Sequence, residues 1–341
     1  MEHSVALTFE DGVTRFIATR PNETVADASY RLGINIPLDC RDGACGTCRC
    51  RVEAGEFDPG SYIEDALTDE EAAQGYGLAC QMRPKTDLVL SIAASSALCK
   101  TAIARHAGTL VAIERLSETT IAFTIAPDGG ASLVFLPGQY VNVDVPGSKE
   151  TRSYSFSSAP GADGASFLVR NIPGGLMSSF LTDRATLGQA VTFTGPVGAF
   201  YLRDIRRPVL MLAGGTGLAP FLSMLDRIAA SGSSHPVHLV YGVTRDADLV
   251  GLDRLDEAAA RIPSFSYATC VADPASAHPA KGYVTGLIEP AHLNGGDVDV
   301  YLCGPPPMVE AVRAHFAAGG VSPASFHYEK FAPSGLVLEA A

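Results

Sequence analysis

The chain has 341 residues, of which 47% are hydrophobic and 18% charged, and its formal net charge is −12. That length allows two or three domains with separate cores, and the composition is that of a globular protein. The acidic balance without a Lys/Arg-rich arm excludes nucleic-acid binding, and no apolar run approaches the roughly 18 residues of a membrane-spanning helix. The start, Met1-Glu2-His3-Ser4, is too polar for a secretory signal, so the expected location is cytoplasmic. Eight cysteines in a reducing compartment predict free thiols rather than disulfides.

Val5–Phe9 alternates as a half-buried strand, and Asp11-Gly12 turns it into a second strand over Thr14–Ile17. Thr24 is placed to N-cap a helix through Leu32, which Gly33 ends. Cys40, Cys45 and Cys48 then follow as C-x4-C-x2-C, with Cys80 thirty-two residues further on. This is the ligand spacing of a plant-type [2Fe–2S] cluster. Gly43, Ala44 and Gly46 are small enough to bring backbone N–H groups against the cluster sulfurs. A zinc site would show paired C-x2-C knuckles, and only Cys45/Cys48 form one; a redox dithiol would leave Cys40 and Cys80 idle.

Thr68-Asp69-Glu70-Glu71 reads as a capping box opening a short helix that Gly75 stops, and Cys80 precedes a strand over Asp87–Ile92. Helix, loop and strands around one cysteine loop predict an α+β β-grasp ferredoxin domain over residues 1–97. That segment carries sixteen Asp/Glu against eight Lys/Arg, densest at Glu64, Asp65, Asp69, Glu70 and Glu71. The cluster of acids is either a steering surface for a basic partner or a solvated helix start. Cys50, Cys99, Cys270 and Cys303 are left as free thiols. The Ala/Ser-rich stretch leads to a linker over 98–106.

Residues 107–204 show short strands broken by Pro137-Gly138, Pro146-Gly147, Pro160-Gly161 and Pro173-Gly174-Gly175, the pattern of a small antiparallel β-barrel. Within it, Arg152-Ser153-Tyr154-Ser155 puts a guanidinium and an aromatic face on one side of a strand and two hydroxyls on the other. Arg suits a phosphate and Tyr a ring to stack on, although an ordinary mixed strand reads the same way. Gly175–Leu181 can open a short helix whose amide end accepts a phosphate.

Over 205–341 the pattern becomes α/β, with apolar strands at Val209–Ala213, Val237–Tyr241 and Val298–Cys303 and helices at Phe221–Ala230 and Asp253–Arg261. This predicts an open, doubly wound parallel sheet. Gly214-Gly215-Thr216-Gly217-Leu218-Ala219-Pro220 follows the first of these strands and suits either a pyrophosphate or a tight βα turn. Cys303-Gly304-Pro305 ends the strand Val298–Cys303 at the sheet's carboxyl edge, where such sheets bind ligands, yet a lone Cys there is also a common small core residue.

The order ferredoxin loop, R-x-Y-S, G-x-x-S-x-x-L, G-G-T-G-x-A-P, C-G-P resembles the ferredoxin-NADP reductase superfamily with a fused N-terminal plant-type ferredoxin. Within it the chain is most similar to the reductase components of ring-hydroxylating dioxygenases of the benzoate and toluate type. The likeness runs from Phe9–Phe16 through Tyr62–Thr68 to Glu329-Lys330-Phe331. It implies a multidomain enzyme passing electrons from NADH to FAD, then to [2Fe–2S], then to an oxygenase. Cys40, Cys45, Cys48 and Cys80 would ligate the cluster. Arg152, Tyr154 and Ser155 would hold FAD with Ser155 near flavin N5, Val169 and Arg170 would line it, and Gly175, Met177 and Ser178 would lie at its pyrophosphate. Gly215, Thr216 and Gly217 would carry the nicotinamide nucleotide's phosphates. Cys303, Ser155 and Glu329 would stand at the reacting centre, with Phe331 shielding the flavin; the apolar tail 332–341 extends beyond the family's usual end.

The implied partner is a terminal Rieske-type oxygenase, with no nucleic acid and no membrane, and the implied chain is a monomer. A soluble di-iron monooxygenase or cytochrome P450 is the alternative acceptor. Near Tyr241–Asp248, Arg245 favours a 2′-phosphate while Asp246 and Asp248 favour a free ribose, and the resemblance tips the expectation to NADH.

Overall fold

The computed structural model describes residues 2–100, 103–130 and 133–331. The tail 332–341 and linker residues 101 and 102 lie outside the described residues. The chain divides into two units, one of 1–104 with 197–199 and one of 105–196 with 200–341.

The first unit contains β1 (His3–Phe9), β2 (Thr14–Thr19), α1 (Val25–Arg31), β3 (Arg49–Ala54), β4 (Phe57–Asp58), α2 (Asp69–Ala73), β5 (Tyr76–Leu78), β6 (Arg83–Pro84) and β7 (Leu88–Ile92). Five of the strands form a sheet ordered β2-β1-β7-β3-β5, with β1 parallel to β7 and antiparallel to β2. That is the β-grasp arrangement. Alternation along β1 buries Val5, Leu7 and Phe9 in one core with Val25, Ala26 and Ala28 of α1. The Thr24 hydroxyl accepts from the Asp27 amide at 3.2 Å, satisfying a donor that the helix start leaves open.

Helix α2 begins with the predicted capping box: Glu71 N–H donates to Thr68 Oγ1 at 3.2 Å and Thr68 N–H to Glu71 Oε2 at 3.0 Å. The structure separates the acidic cluster into two parts. Glu71 is buried and pairs with Arg49 at 3.1 Å, so it is structural, while Glu64, Asp69 and Glu70 are exposed. The linker reading also changes at both ends. Cys99 is buried in the β-grasp core, its carbonyl accepts from Asn35 N–H at 2.7 Å, and Leu98–Lys100 form a 3-10 turn. The next strand already begins at Ala104. An Ala/Ser-rich composition cannot reveal that its small side chains are packed.

The second unit opens with β8 (Ala104–Arg115), β9 (Thr120–Pro127), β10 (Tyr140–Asp144), β11 (Thr151–Ser155), β12 (Ala165–Arg170), α3 (Leu176–Asp183) and β13 (Ala190–Val197). The strands run β11-β10-β13-β8-β9-β12, and an antiparallel bridge between Phe156 and Phe167 brings the two ends together into a barrel. Its core is aromatic: Phe123, Phe135, Phe156, Phe167 and Phe193 are buried, and the rings of Phe135 and Phe156 stack 3.7 Å apart.

The rest of the unit contains β14 (Val209–Gly214), α4 (Ala219–Ser231), β15 (Val237–Val243), α5 (Leu252–Arg261), β16 (Phe265–Val271), α6 (Pro290–Leu293), β17 (Asp299–Gly304), α7 (Pro306–Ala318) and β18 (Ser325–Lys330). The sheet is parallel in the order β16-β15-β14-β17-β18. Its central strands are buried on both faces, which is why they read as continuous apolar runs. Pro220 sits in the first turn of α4, where its missing N–H costs nothing. Among the described residues no helix is long and apolar enough to cross a membrane.

Candidate functional site

Between α1 and β3 the cysteine loop has no regular structure and lies against residues 61–66. Ile63 N–H donates to Gly43 O at 3.2 Å, and a Cβ on Gly46 would stand 2.8 Å from the Ala66 carbonyl oxygen. The four thiols touch in series, Cys45 with Cys40, Cys40 with Cys80 and Cys80 with Cys48. Cys80 N–H also donates to Cys48 Sγ at 3.4 Å. Thiol donors from Cys45 and Cys80 pull the Cys40 pKa down. Among the described residues no three His, Cys, Asp or Glu side chains converge as ligands of a single ion. Two adjoining thiol pairs, Cys40/Cys45 and Cys48/Cys80, are the donor set that two bridged irons require. Cys48 and Cys80 are buried while Cys45 is exposed. Cys50 points elsewhere: it is buried, its thiol donates to Gly77 O at 3.6 Å, and burial pushes its pKa up.

In the barrel, β11 presents Arg152 and Tyr154 on one face. The Tyr154 ring meets Phe123 edge-on at 5.6 Å, and burial raises its phenol pKa. The Arg152 guanidinium donates to Thr151 O at 2.7 Å and lies 3.4 Å from Glu150. Ser155 is buried, and its hydroxyl donates to Glu329 Oε2 at 3.0 Å. The eight-residue helix α3 starts at Gly175 with no side chain capping it, so its first amides suit an anion. The structure places the other expected flavin residues as follows. The side chains of Val169 and Met177 belong to the barrel core. The Ser178 hydroxyl donates to Ile172 O at 2.8 Å, which shapes the loop before α3. Arg170 is exposed at the end of β12.

At the carboxyl edge of the parallel sheet, β14 and β17 are neighbours whose onward connections leave in opposite directions, a topological switch point where such sheets bind ligands. Gly214–Leu218 turns there and Cys303, next to last in β17, lies opposite Ala213. Gly217 passes so close to β17 that an added Cβ would overlap the Cys303 carbonyl, 2.7 Å from its carbon and 3.1 Å from Gly304 N. Cys303 is fully buried, and burial, with the Glu329 charge second, holds its thiol well above its ordinary pKa. In the parallel register Glu329 lies beside Cys303, and Phe331 N–H donates to Gly304 O at 2.9 Å. The structure therefore gathers Ser155, Glu329, Cys303, Gly217 and Phe331 around one edge.

Two contacts that sequence reading missed, each braced by a neighbouring bond, tie barrel to sheet within this unit. Arg254 of α5 donates to Ser157 O at 2.8 Å and to Asp226 of α4 at 2.9 Å. Thr119, in the β8–β9 turn, donates to Asp248 at 2.5 Å, and Asn171 N–H donates to Thr119 O at 2.7 Å. The partners are up to 129 positions apart, and no local pattern signals them.

An edge that accepts a nicotinamide nucleotide, a barrel that accepts a flavin and a loop that accepts two irons make this chain one of the flavin-dependent iron–sulfur oxidoreductases. Family models agree with each part: "2Fe-2S iron-sulfur cluster binding domain" over residues 8–85, "Oxidoreductase FAD-binding domain" over 107–201 and "Oxidoreductase NAD-binding domain" over 211–314. The toluate 1,2-dioxygenase electron transfer component of Pseudomonas putida is 60% identical over 335 residues, covering 98% of this chain and all of that one. The 2-halobenzoate 1,2-dioxygenase electron transfer component of Burkholderia cepacia is 54% identical, covering 98% and 99%. The crystal structure of the Amycolatopsis cytochrome P450 reductase GcoB superposes with a TM-score of 0.71 at 32% identity, covering 97% of this chain and 100% of that one. The chain belongs to the family of dioxygenase electron transfer components, and its cofactors are a [2Fe–2S] cluster, FAD and a nicotinamide nucleotide.

Proposed function

We propose that the chain is the NADH-dependent reductase of an aromatic-ring dioxygenase system of the benzoate type, carrying electrons to a Rieske-type terminal oxygenase. The observation that carries this reading is the end-to-end identity with the toluate and 2-halobenzoate components, joined to the four clustered thiols of the first unit. Residues 1–100 are the ferredoxin domain, 104–204 the FAD barrel and 205–341 the nucleotide domain, in a monomer that works in the cytoplasm. FAD, when bound, supplies the change from the two electrons of a hydride to the single electrons a cluster takes.

The residues divide the work. Cys40, Cys45, Cys48 and Cys80 hold the irons, with Cys45 on the exposed side. Arg152, Tyr154 and the amide end of α3 hold the flavin, and Gly215, Thr216 and Gly217 hold the nucleotide. The Ser155 hydroxyl donates a hydrogen bond to the Glu329 carboxylate, which keeps that acceptor oriented beside Cys303. The thiol of Cys303, fully buried and with its pKa raised by that burial, fills the edge beside Glu329. Arg245 is paired with Asp248 at 3.4 Å, so a 2′-phosphate would meet a cation already neutralised. That supports NADH over NADPH.

Relatives that serve other oxygenases are more distant, such as the 31% identical propane 2-monooxygenase reductase component of Mycolicibacterium goodii. The test mixes the purified protein with a benzoate-type dioxygenase, a di-iron monooxygenase or a cytochrome P450. Aromatic substrate should accelerate NADH oxidation with the dioxygenase alone. Equal stimulation by the other two acceptors would refute the proposed partner.

A further inference from the structure

The turn that separates Cys40 from Cys45 is held from outside by one side chain. Gln81 directly follows Cys80 and turns its amide back over the loop. Its Nε2 donates to Arg41 O at 3.1 Å and stands 3.9 Å from Cys80 Sγ, within the longer reach of a sulfur acceptor. Only the NH2 end of the amide can donate to a carbonyl, so Arg41 fixes which way the group faces. Gly60 makes the room: a Cβ there would lie 3.0 Å from Gln81 Cβ and 3.1 Å from Oε1.

Arg41 needs such a hold. Its φ is +65°, a left-handed conformation that costs a residue with a side chain about 1–2 kcal/mol. Its guanidinium lies 5.2 Å from the Tyr30 ring centroid and 3.3 Å from the Asp27 carboxylate, fixing the side chain to α1. Gln81 fixes the carbonyl. The loop is thus clamped at both ends of a strained residue that adjoins Cys40.

We propose that Gln81 is a positioning residue for the iron–sulfur cluster, holding the Arg41 turn in its left-handed form and donating an N–H toward the Cys80 sulfur. This rests on the cluster reading given above. A donor to a coordinating thiolate favours the more negative, reduced cluster and so raises its potential. A latch on the ligand loop also slows release of iron.

The experiment uses the full-length holoprotein, with Gln81→Leu and Gln81→Met. Met keeps the length and flexibility of the side chain without its donor, and carries the test if the Leu variant does not accumulate. Reductive titration followed by electron paramagnetic resonance reads the midpoint potential, and a chelator challenge followed at the cluster's visible band reads iron release. Circular dichroism and flavin content report the fold. Both variants should shift the reduction equilibrium toward the oxidised cluster by up to about tenfold, which is about 59 mV for one electron. Iron release should speed up by about tenfold. A potential equal to wild type, even with a lowered melting temperature, would make Gln81 a packing residue and overturn the proposal. A wild-type protein that shows no reduced-cluster signal would instead refute the cluster, independently of Gln81.

Discussion

Gly217→Ala is the sharpest perturbation of the proposed nicotinamide edge. Its backbone is not in a left-handed conformation, so the substitution is limited by space alone. The new methyl would stand 2.7 Å from the Cys303 carbonyl carbon and 3.1 Å from Gly304 N, whereas carbon contacts settle at about 3.5–4.0 Å. The neighbours are main-chain atoms of β17, which cannot rotate away, so the ends of β14 and β17 must part by about 1 Å. Overpacking of this kind costs about 1–3 kcal/mol. A displacement of about 1 Å at a reacting centre slows chemistry by about 10²-fold, close to what the upper part of that energy range gives. Stopped-flow mixing with NADH, read as flavin bleaching, should therefore be about a hundredfold slower than wild type. Gly232→Ala, at the end of α4, is the control. A Cβ there meets nothing within 4 Å but must adopt φ +76°, so the expected cost is strain of about 1 kcal/mol with bleaching close to the wild-type rate. Bleaching of Gly217→Ala at the wild-type rate would refute the placement of the nucleotide at this edge.

Three further outcomes are expected. Cys45→Ser should abolish cytochrome c reduction while NADH–ferricyanide activity persists; survival of both at wild-type rates would show that the clustered thiols do not carry the electrons. Cys303→Ala should slow flavin bleaching by NADH at least about tenfold with little change in melting temperature, and an unchanged rate would make the buried thiol a packing group. Glu23 hydrogen-bonds Arg31 at 2.8 Å, and that guanidinium holds its carboxyl at about 2, below the usual 4.5. Because the folded-state pKa is the lower one, the pair's stabilisation is complete above about pH 4.5 and is lost as pH falls through about 2. Denaturant titrations should find Glu23→Gln less stable than wild type at pH 7 and the difference closing near pH 2; a pH-independent difference would refute the pair's role.

What could be read in the sequence was local. The capping box at Thr68 and the proline in the first turn of α4 are matters of three or four adjacent residues, and both elements formed as expected. The central strands of the parallel sheet announced themselves because burial on both faces demands continuous apolar side chains. The edge strands β16 and β18 did not. Every residue of Ser325–Lys330 is only half-buried, and Phe265–Val271 alternates poorly, so neither carries a clean period. The same limit separates the acids at α2: composition treats Glu70 and Glu71 alike, but only Glu71 turns inward to Arg49. Burial of the Val169 and Met177 side chains in the barrel core was likewise not legible from their local sequence.

The least legible feature bears most directly on the chemistry. Hydride transfer requires two rings held within about 3–3.5 Å, and in this chain they are carried by different layers of the second unit. Three hydrogen bonds fasten those layers at separate points: Ser155 to Glu329 at 3.0 Å, Arg254 to Ser157 at 2.8 Å, and Thr119 to Asp248 at 2.5 Å. Leu168 of β12 adds an apolar anchor, buried in the same core as Leu218, Phe221 and Cys303. The first two bonds both start from the segment that ends β11, the strand carrying Arg152 and Tyr154. The third reaches Asp248, which also accepts from the Arg245 amide at 3.1 Å. Strand β11 and the loop after β15 are thereby tied to one frame. A barrel and a sheet joined only by chain connectivity would drift by more than the tolerance the reaction allows, so these fastenings belong to the proposed active centre as much as the residues that line it.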